Sequence, residues 1–410
     1  MSQQLAKKKI LIFIDWFLPG YKAGGPVRSM ANMVEYLKDE YEFYIVTRNT
    51  DYTETLPYHG INSNSWVEFI PGVMVNYADT KHQNKTVFFK LLKEIQPDIV
   101  YINGVYSWKF SILPLLITNN YGVKKVVVAS RGMLAQSAID VKGGKKQLFL
   151  KLARILGLYR NVIFHATNEK EKQDIEKALG KGLKIKIADN LPTKEFIPFK
   201  EIIKTGGVLK LVSLARISPE KNTLYALERL LECKDLKGSI QFDLYGQIYN
   251  DDYWKYCKNI ISQLPENIKV EYKGTVDADI VGETIQKYHA LYLPTRGENF
   301  GHVILESFMA GRPVLISDQT PWRGLEKQYC GWDISLQAVE DRQKAEVKRL
   351  EDREFSSKTE VSGWSSALAQ LVEMEQEEFY KWCEGARKRA DKFVNDPELR
   401  EGYKRLFNDL

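Results

Sequence analysis

Cysteine is scarce: the 410 residues contain four, Cys233, Cys257, Cys330 and Cys383, all isolated. No Cys-x-x-Cys pair and no accompanying histidine pattern occurs, so the chain reads as neither a zinc site nor a disulfide framework. Reduced thiols in a cytoplasmic protein are the expectation. Long apolar runs are also lacking. Nowhere do about 20 apolar residues follow one another, so no bilayer-spanning helix is expected and any membrane contact is peripheral. Lys7-Lys8-Lys9 precede a short apolar run, Ile10 to Ile14, which Asp15 interrupts. That is too short for the core of a signal peptide and reads as a first buried strand. No Gly-x-Gly-x-x-Gly fingerprint follows this strand, which argues against a dinucleotide-dependent oxidoreductase. Excess charge is small: 59 Lys and Arg against 53 Asp and Glu give +6. This suits phosphorylated ligands or an anionic lipid surface, and nucleic acid is not expected as a partner.

What is present is a repeated strand-helix alternation. Apolar runs at 10–14, 43–46, 99–102, 126–129, 162–165 and 185–188 read as buried parallel strands. Helical patterns at 27–37, 87–95, 145–159 and 169–179 lie between several of them. Residues 50–85 fit least well, being polar and aromatic, and read as a β-rich excursion or a loop. Pro192, Pro198 and Gly206-Gly207 then punctuate a stretch that reads as a linker over 191–206. A second series follows, with strands expected at 209–214, 242–245, 270–273, 291–293 and 314–316. The expected fold class is α/β, with Rossmann-like, doubly wound parallel sheets in domains 1–190 and 207–393. Residues 336–360 are charge-rich and read as a solvated helix or insertion; helical periodicity returns from 367 to 393. Leu399, Tyr403, Leu406 and Phe407 give the last segment, about 394–410, an amphipathic face.

The most informative segment is Pro294-Thr-Arg-Gly-Glu-Asn-Phe-Gly-His302 and onward. A strand runs into a polar loop carrying Glu298, Asn299 and Gly301. A helix then runs from about His302 to Ala310, stopped by Gly311 and Pro313. Loops at the carboxyl ends of such strands are where open sheets bind ligands. The helix start near Phe300 and Gly301 suits an anion. Glu298 in the loop and Glu306 one turn into the helix offer acceptors for hydroxyls. Both features together suit a nucleotide sugar; a surface ion pair on an ordinary Rossmann-like unit is the plain alternative. In a second loop, Ala215-Arg216-Ile217-Ser218-Pro219-Glu220-Lys221 places two cations between a strand end and a helix start. Such a pair neutralises a diphosphate and the charge growing on a leaving nucleotide, though basic residues at a helix start are common without any ligand.

The Glu298-to-Glu306 spacing resembles the Glu-x7-Glu signature of family-four glycosyltransferases, retaining enzymes of the GT-B fold. Gly311-Arg312-Pro313, Thr320-Pro321-Trp322 and Gly331-Trp332 are similar to the subgroup that builds bacterial surface polysaccharides. The resemblance implies two Rossmann-like domains facing an interdomain cleft, with the last helix crossing back to the first domain. It implies transfer of a sugar from a nucleoside-diphosphate sugar to a glycan or lipid-diphosphate-linked acceptor. Arg216, Lys221 and Glu298 are the implied catalytic residues. Gly246, Asn299, Phe300, Gly301 and Glu306 are assigned to donor binding. The glycine-rich Gly24-Gly25 joint before Pro26, Arg131 in Ser130-Arg-Gly-Met-Leu134, and His302 are cleft or acceptor candidates. Asn103 stands where relatives often carry histidine, so that histidine's role does not transfer. His165, at a strand end, reads as a core residue.

No metal or other cofactor is expected. Asp277-Ala278-Asp279 has the form of a metal-binding triplet, but its place between a strand and a helix suits Asp279 as an N-cap. Lys142 to Arg160 is basic, lacks acids, and has an apolar face; it reads either as a core-packed helix or as a contact for the cytoplasmic face of an inner membrane. Two other classes compete with a transferase. A nucleotide-sugar epimerase would convert donor without acceptor, and a non-catalytic nucleotide- or glycan-binding protein would show no turnover.

Overall fold

The buried apolar runs form two separate sheets in the computed structural model, which describes residues 6–140, 143–194, 197–336 and 363–408. The charged segment after Leu336, up to 362, and Lys142 lie outside the described residues. By internal contacts the chain divides into one unit made of Met1–Lys194 with Asp396–Leu410 and a second made of Glu195–Asn395.

In the first unit the strands are β1 (Lys8–Phe13), β2 (Tyr41–Arg48), β3 (Trp66–Ile70), β4 (Val73–Ala78), β5 (Ile99–Asn103), β6 (Lys125–Ala129), β7 (Ile163–Ala166) and β8 (Lys184–Ile187). Their order is β3-β4-β2-β1-β5-β6-β7-β8. Ile10 sits opposite Phe43 on one side and Ile99 on the other. Every pairing is parallel except β3 with β4. That hairpin occupies the stretch that fitted least well in the sequence. Pro71-Gly72 turns it, with Gly72 at φ 84°, and β4 then runs parallel to β2. Helix Gly25–Leu37 begins at Gly24 (φ 74°) with Pro26 in its first turn. The last helix, Pro397–Asn408, buries Leu399, Tyr403, Leu406 and Phe407. Lys186 Nζ donates to the Arg405 carbonyl, and Phe407 packs on Tyr41 and Tyr101.

In the second unit β9 (Val208–Leu214), β10 (Ser239–Tyr245), β11 (Ile268–Tyr272), β12 (Ala290–Leu293), β13 (Val314–Ser317) and β14 (Gly331–Ile334) are ordered β11-β10-β9-β12-β13-β14. All are parallel. Alternation sends Leu211 and Tyr292 to one face and Val212 and Leu293 to the other, each into its own apolar layer. Each fully buried side chain of this size contributes about 1.5–3 kcal/mol.

Two elements depart from the expected pattern. The periodicity over 367–393 is two helices, Gly363–Glu373 and Gln376–Val394. The break is stabilised by Lys204, 2% exposed, whose ammonium donates to the carbonyls of Val372 and Met374. These are the acceptors that a helix end leaves unpaired. Asp279 is not an N-cap: it lies within a short 3₁₀ turn, Ala278–Ile280, and the following helix is capped by Ile280. Among the described residues no helix is long and apolar enough to cross a membrane.

Candidate active site

In an open parallel sheet the ligand crevice lies where strand order reverses, between the carboxyl ends of the two diverging strands. In the second unit that point falls between β9 and β12. The loops leaving these two strands are the two segments with the strongest motifs: 215–222, carrying Arg216 and Lys221, and 294–301, carrying Glu298, Asn299, Phe300 and Gly301.

Several hydrogen bonds join the loops. Asn222, in the left-handed region at φ 61°, donates through Nδ2 to the Pro294 carbonyl at 3.0 Å. Its Oδ1 accepts from Arg296 Nε at 3.3 Å. The Glu220 carbonyl accepts from the Arg296 amide at 2.9 Å and the Thr295 hydroxyl at 3.3 Å. A third loop braces the second, with the Glu298 amide donating to the Gln319 carbonyl at 3.0 Å. Trp322 Nε1 donates to the Phe300 carbonyl at 2.6 Å. With its backbone held on both sides, Glu298 meets Lys221: Nζ and Oε1 are 2.5 Å apart. Arg216 is more exposed and pairs with Glu220 at 3.1 Å.

Phe300 is 5% exposed, and its ring lies between His302 and Trp322. Gly301 takes φ 78° and ψ 66° at the start of helix His302–Met309. That positive φ is what requires glycine here; a Cβ would also come 2.7 Å from Ile304 Cδ1, which would have to move aside. Half-buried Glu306 lies one turn further along the same helix. Gly246 follows β10 at φ 142°, where a Cβ would fall 2.0 Å from the Ala215 carbonyl. Any side chain at 246 would push aside the backbone next to Arg216. Asp277 and Asp279 are exposed on another loop.

The first-unit candidates lie on two different loops. Gly24 and Gly25 form the start of the first helix. Arg131 follows β6 at φ 51°, and its guanidinium donates to Asn103 Oδ1 at 2.9 Å, Asn190 Oδ1 at 2.7 Å and the Tyr101 hydroxyl at 2.8 Å. It thus ties three strand-end segments together, and Asn103 serves as one of its acceptors. His165 is a core residue, 1% exposed, between the Tyr101 hydroxyl and the Ala188 carbonyl. Burial, reinforced by the Arg131 charge, pushes its pKa down to about 3, so the ring stays neutral.

Sequence reasoning missed Asn222, Thr295 and Gln319, the residues that assemble the crevice. Only Asn222 carried a signal, since asparagine is enriched at left-handed positions. The Thr295 and Gln319 contacts depend on which strands are neighbours.

Residues 194–360 match the family model for glycosyl transferases group 1. The chain has the fold of the GT-B glycosyltransferases. The Anabaena protein HepE, in complex with UDP and glucose, superposes with a TM-score of 0.64 at 14% identity, covering 97% of this chain and 99% of its own. WaaG, a glycosyltransferase involved in lipopolysaccharide biosynthesis, gives 0.61 at 15% identity, with 98% and 100% covered. A variant of TarM from S. aureus, in complex with UDP, fondaparinux and α-GlcNAc-glycerol, gives 0.64 at 13%, with 98% and 100% covered. At such identities the likeness establishes the fold. No curated protein matches the sequence.

Proposed function

We propose that the chain is a retaining, family-four glycosyltransferase that transfers a sugar from a nucleoside-diphosphate sugar to a glycan or lipid-diphosphate-linked acceptor during assembly of a surface polysaccharide. The observation that carries the donor assignment is the Lys221–Glu298 pair, which brings both motif loops to the switch point of the second sheet. In this reading the donor diphosphate takes Lys221 from Glu298 and Arg216 from Glu220. The released Glu298 carboxylate accepts from hydroxyls of the transferred sugar, while Glu306 accepts from the ribose hydroxyls. Asn299, Phe300 and Gly301 line the sugar at the positive end of the helix that follows. Gly246 keeps the loop beside Arg216 in place.

The chemistry needs charge compensation more than a nucleophile. As the bond from the anomeric carbon to the diphosphate oxygen breaks, its electron pair stays with the diphosphate. Two fixed cations stabilise that charge where it develops. The acceptor hydroxyl then attacks from the face the diphosphate is leaving and passes its proton to a phosphate oxygen, which retains configuration. No metal is assigned a part. Gly24, Gly25, Arg131 and His302 are assigned to the acceptor side, Arg131 as a positioning residue that holds strand ends rather than as a direct contact.

UDP is the first nucleotide to test, because HepE and TarM are seen with it. Thermal-shift titration with UDP, GDP, ADP and CMP, with and without EDTA, is expected to show stabilisation by one nucleoside diphosphate that EDTA leaves unchanged. No shift at millimolar concentration of any of them would reject the donor site. Once donor and acceptor are known, the proton coupling at the anomeric carbon of the product decides between retention and inversion.

A further inference from the structure

The first sheet has a switch point of its own. Strand order reverses between β1 and β5, so the loops after these two strands border the place where such a sheet takes a ligand. One side chain joins them. Asp15, just beyond β1, accepts at Oδ1 from Ser107 Oγ at 2.9 Å, in the loop after β5. The same oxygen accepts from Nη2 and Nε of Arg48, the last residue of β2, at 2.7 Å and 3.2 Å. An arginine–carboxylate pair that only ties loops together gains most from two parallel bonds, one to each oxygen. Here every donor converges on one oxygen. Among the described residues Oδ2 accepts no hydrogen bond, and the side chain remains 16% exposed.

The surroundings hold that carboxylate in one orientation. The Arg48 guanidinium lies 5.3 Å from the Trp16 ring centroid and 5.1 Å from that of Phe110, and Nη1 donates to Gln83 Oε1 at 3.4 Å. Ser107 Oγ also accepts from the Phe110 amide at 3.2 Å and so caps a π-helical turn, Trp108–Ile112. Such turns are rare and gather at functional sites. The first residue of this one, Trp108, follows Ser107 directly and is 63% exposed. An indole left in water beside a fixed carboxylate offers what a pyranose needs: a flat apolar face for its C–H side and an ionised acceptor for its hydroxyls. The same carboxylate selects against anions. Its charge repels a phosphate or a uronate, and the Arg48 charge is already matched by it.

We propose that Asp15 and Trp108 form an acceptor subsite that reads an uncharged pyranose, with Asp15 Oδ2 accepting from its hydroxyls and the Trp108 indole packed on its C–H face. Arg48 and Ser107 are positioning residues that aim the carboxylate. Recognition at this end of the acceptor runs through the sugar rather than through a phosphate. The proposal rests on the transferase reading and narrows its acceptor. It is tested without donor or turnover, so its failure leaves the donor site standing.

Saturation-transfer NMR titrations of the full chain use the methyl pyranosides of glucose, galactose, mannose and N-acetylglucosamine, with methyl glucuronide and glycerol phosphate as anionic probes. At least one neutral glycoside is expected to bind saturably, about tenfold or more tightly than either anion. Asp15→Asn is expected to weaken that binding about tenfold, the loss of a charge-assisted bond, and to narrow the gap between neutral and anionic probes. Trp108→Ala is expected to weaken it about fivefold or more with an unchanged melting temperature, because an exposed ring carries little of the fold. Nucleotide thermal shifts should match wild type in both variants, since the donor residues lie in the second unit. Absence of binding by every neutral glycoside overturns the proposal, as does binding that Trp108→Ala leaves unchanged. Equal or tighter binding of glucuronide or glycerol phosphate overturns it in favour of an anionic acceptor. A nucleotide shift lost in either variant overturns it too, because the pair would then serve the donor. Should Asp15→Asn lower the melting temperature, the Trp108 variant and the ratio of neutral to anionic binding decide.

Discussion

Lys221 Nζ lies 2.5 Å from Glu298 Oε1 although 77 residues separate them in the chain. Their side chains are only 18% and 12% exposed, so the pair is sheltered but still reached by water. It joins the two loops through one ion pair. In the proposed function a diphosphate, which carries more charge than a carboxylate, would displace Glu298 from Lys221 at little cost to the fold.

Loss of either cation is expected to affect turnover more than stability. Lys221→Ala and Arg216→Ala each should lower kcat by about 10²–10³-fold, the usual effect of removing one group that stabilises a transition-state charge. Unfolding free energy should change by about 1 kcal/mol or less, as for other solvent-reached pairs. Steady-state kinetics and urea unfolding of the two variants check both parts. Undiminished kcat in both variants contradicts the leaving-group role.

Neutralising Glu298 should separate binding from transfer. In Glu298→Gln the carboxylate no longer competes for Lys221, so calorimetric titration is expected to give roughly fivefold tighter nucleoside-diphosphate binding, about 1 kcal/mol. Transfer should fall, because the sugar loses a charged acceptor. Weaker nucleotide binding in this variant would mean that the carboxylate does not act as the diphosphate's placeholder.

Arg312 predicts a purely structural effect beside the site. Its side chain is 0% exposed, and it donates to the carbonyls of Tyr288, Ala310, Gly311, Lys200 and Gln286. Arg312→Lys keeps the charge but reaches fewer of these acceptors. The expected loss is about 3 kcal/mol, read as a lower urea midpoint with an unchanged slope.

Acid sensitivity should trace in part to His289, 1% exposed. Its Nδ1 accepts from the Lys210 amide at 2.9 Å, which leaves Nε2 to donate to the Ile203 carbonyl at 3.1 Å. Burial, with the charges of Lys204, Lys210 and Arg312, pushes its pKa from 6.5 down to about 4. Between these values the unfolded chain binds a proton that the folded chain refuses. The contribution is therefore complete above pH 6.5 and is lost as pH falls toward 4, by roughly 3 kcal/mol at most. His289→Gln is expected to lower stability at pH 7 and to flatten this acid limb in urea unfolding at pH 7, 5.5 and 4.5. A curve parallel to wild type would remove His289 as a cause.

The strands with long apolar runs were legible because burial on both faces leaves a continuous signal: β5, read as 99–102, is Ile99–Asn103. The pair β3 and β4 was legible only as a β-rich excursion or a loop, without strand bounds, because short strands with mixed polar and aromatic residues have no distinctive period. The break at Met374 and Glu375 was hidden for another reason. The helical period continues through it, and the residue that stabilises the break, Lys204, lies about 170 residues earlier.

The sequence by itself determined the chemistry available: two cations in one loop, a glutamate in another, a second glutamate on the helix that follows, and glycines where backbone must turn. Those features are local, set by residue type and by spacing within a single strand-loop-helix unit. Only the tertiary structure decided that β9 and β12 are neighbours, and therefore that Lys221 meets Glu298 at a switch point. It also decided that Arg131 faces Asn103, Asn190 and Tyr101, and that Leu148, Leu152, Ile155 and Leu156 stay exposed. An amphipathic period says that a helix has an apolar face; whether that face is covered depends on the elements that long-range packing places beside it.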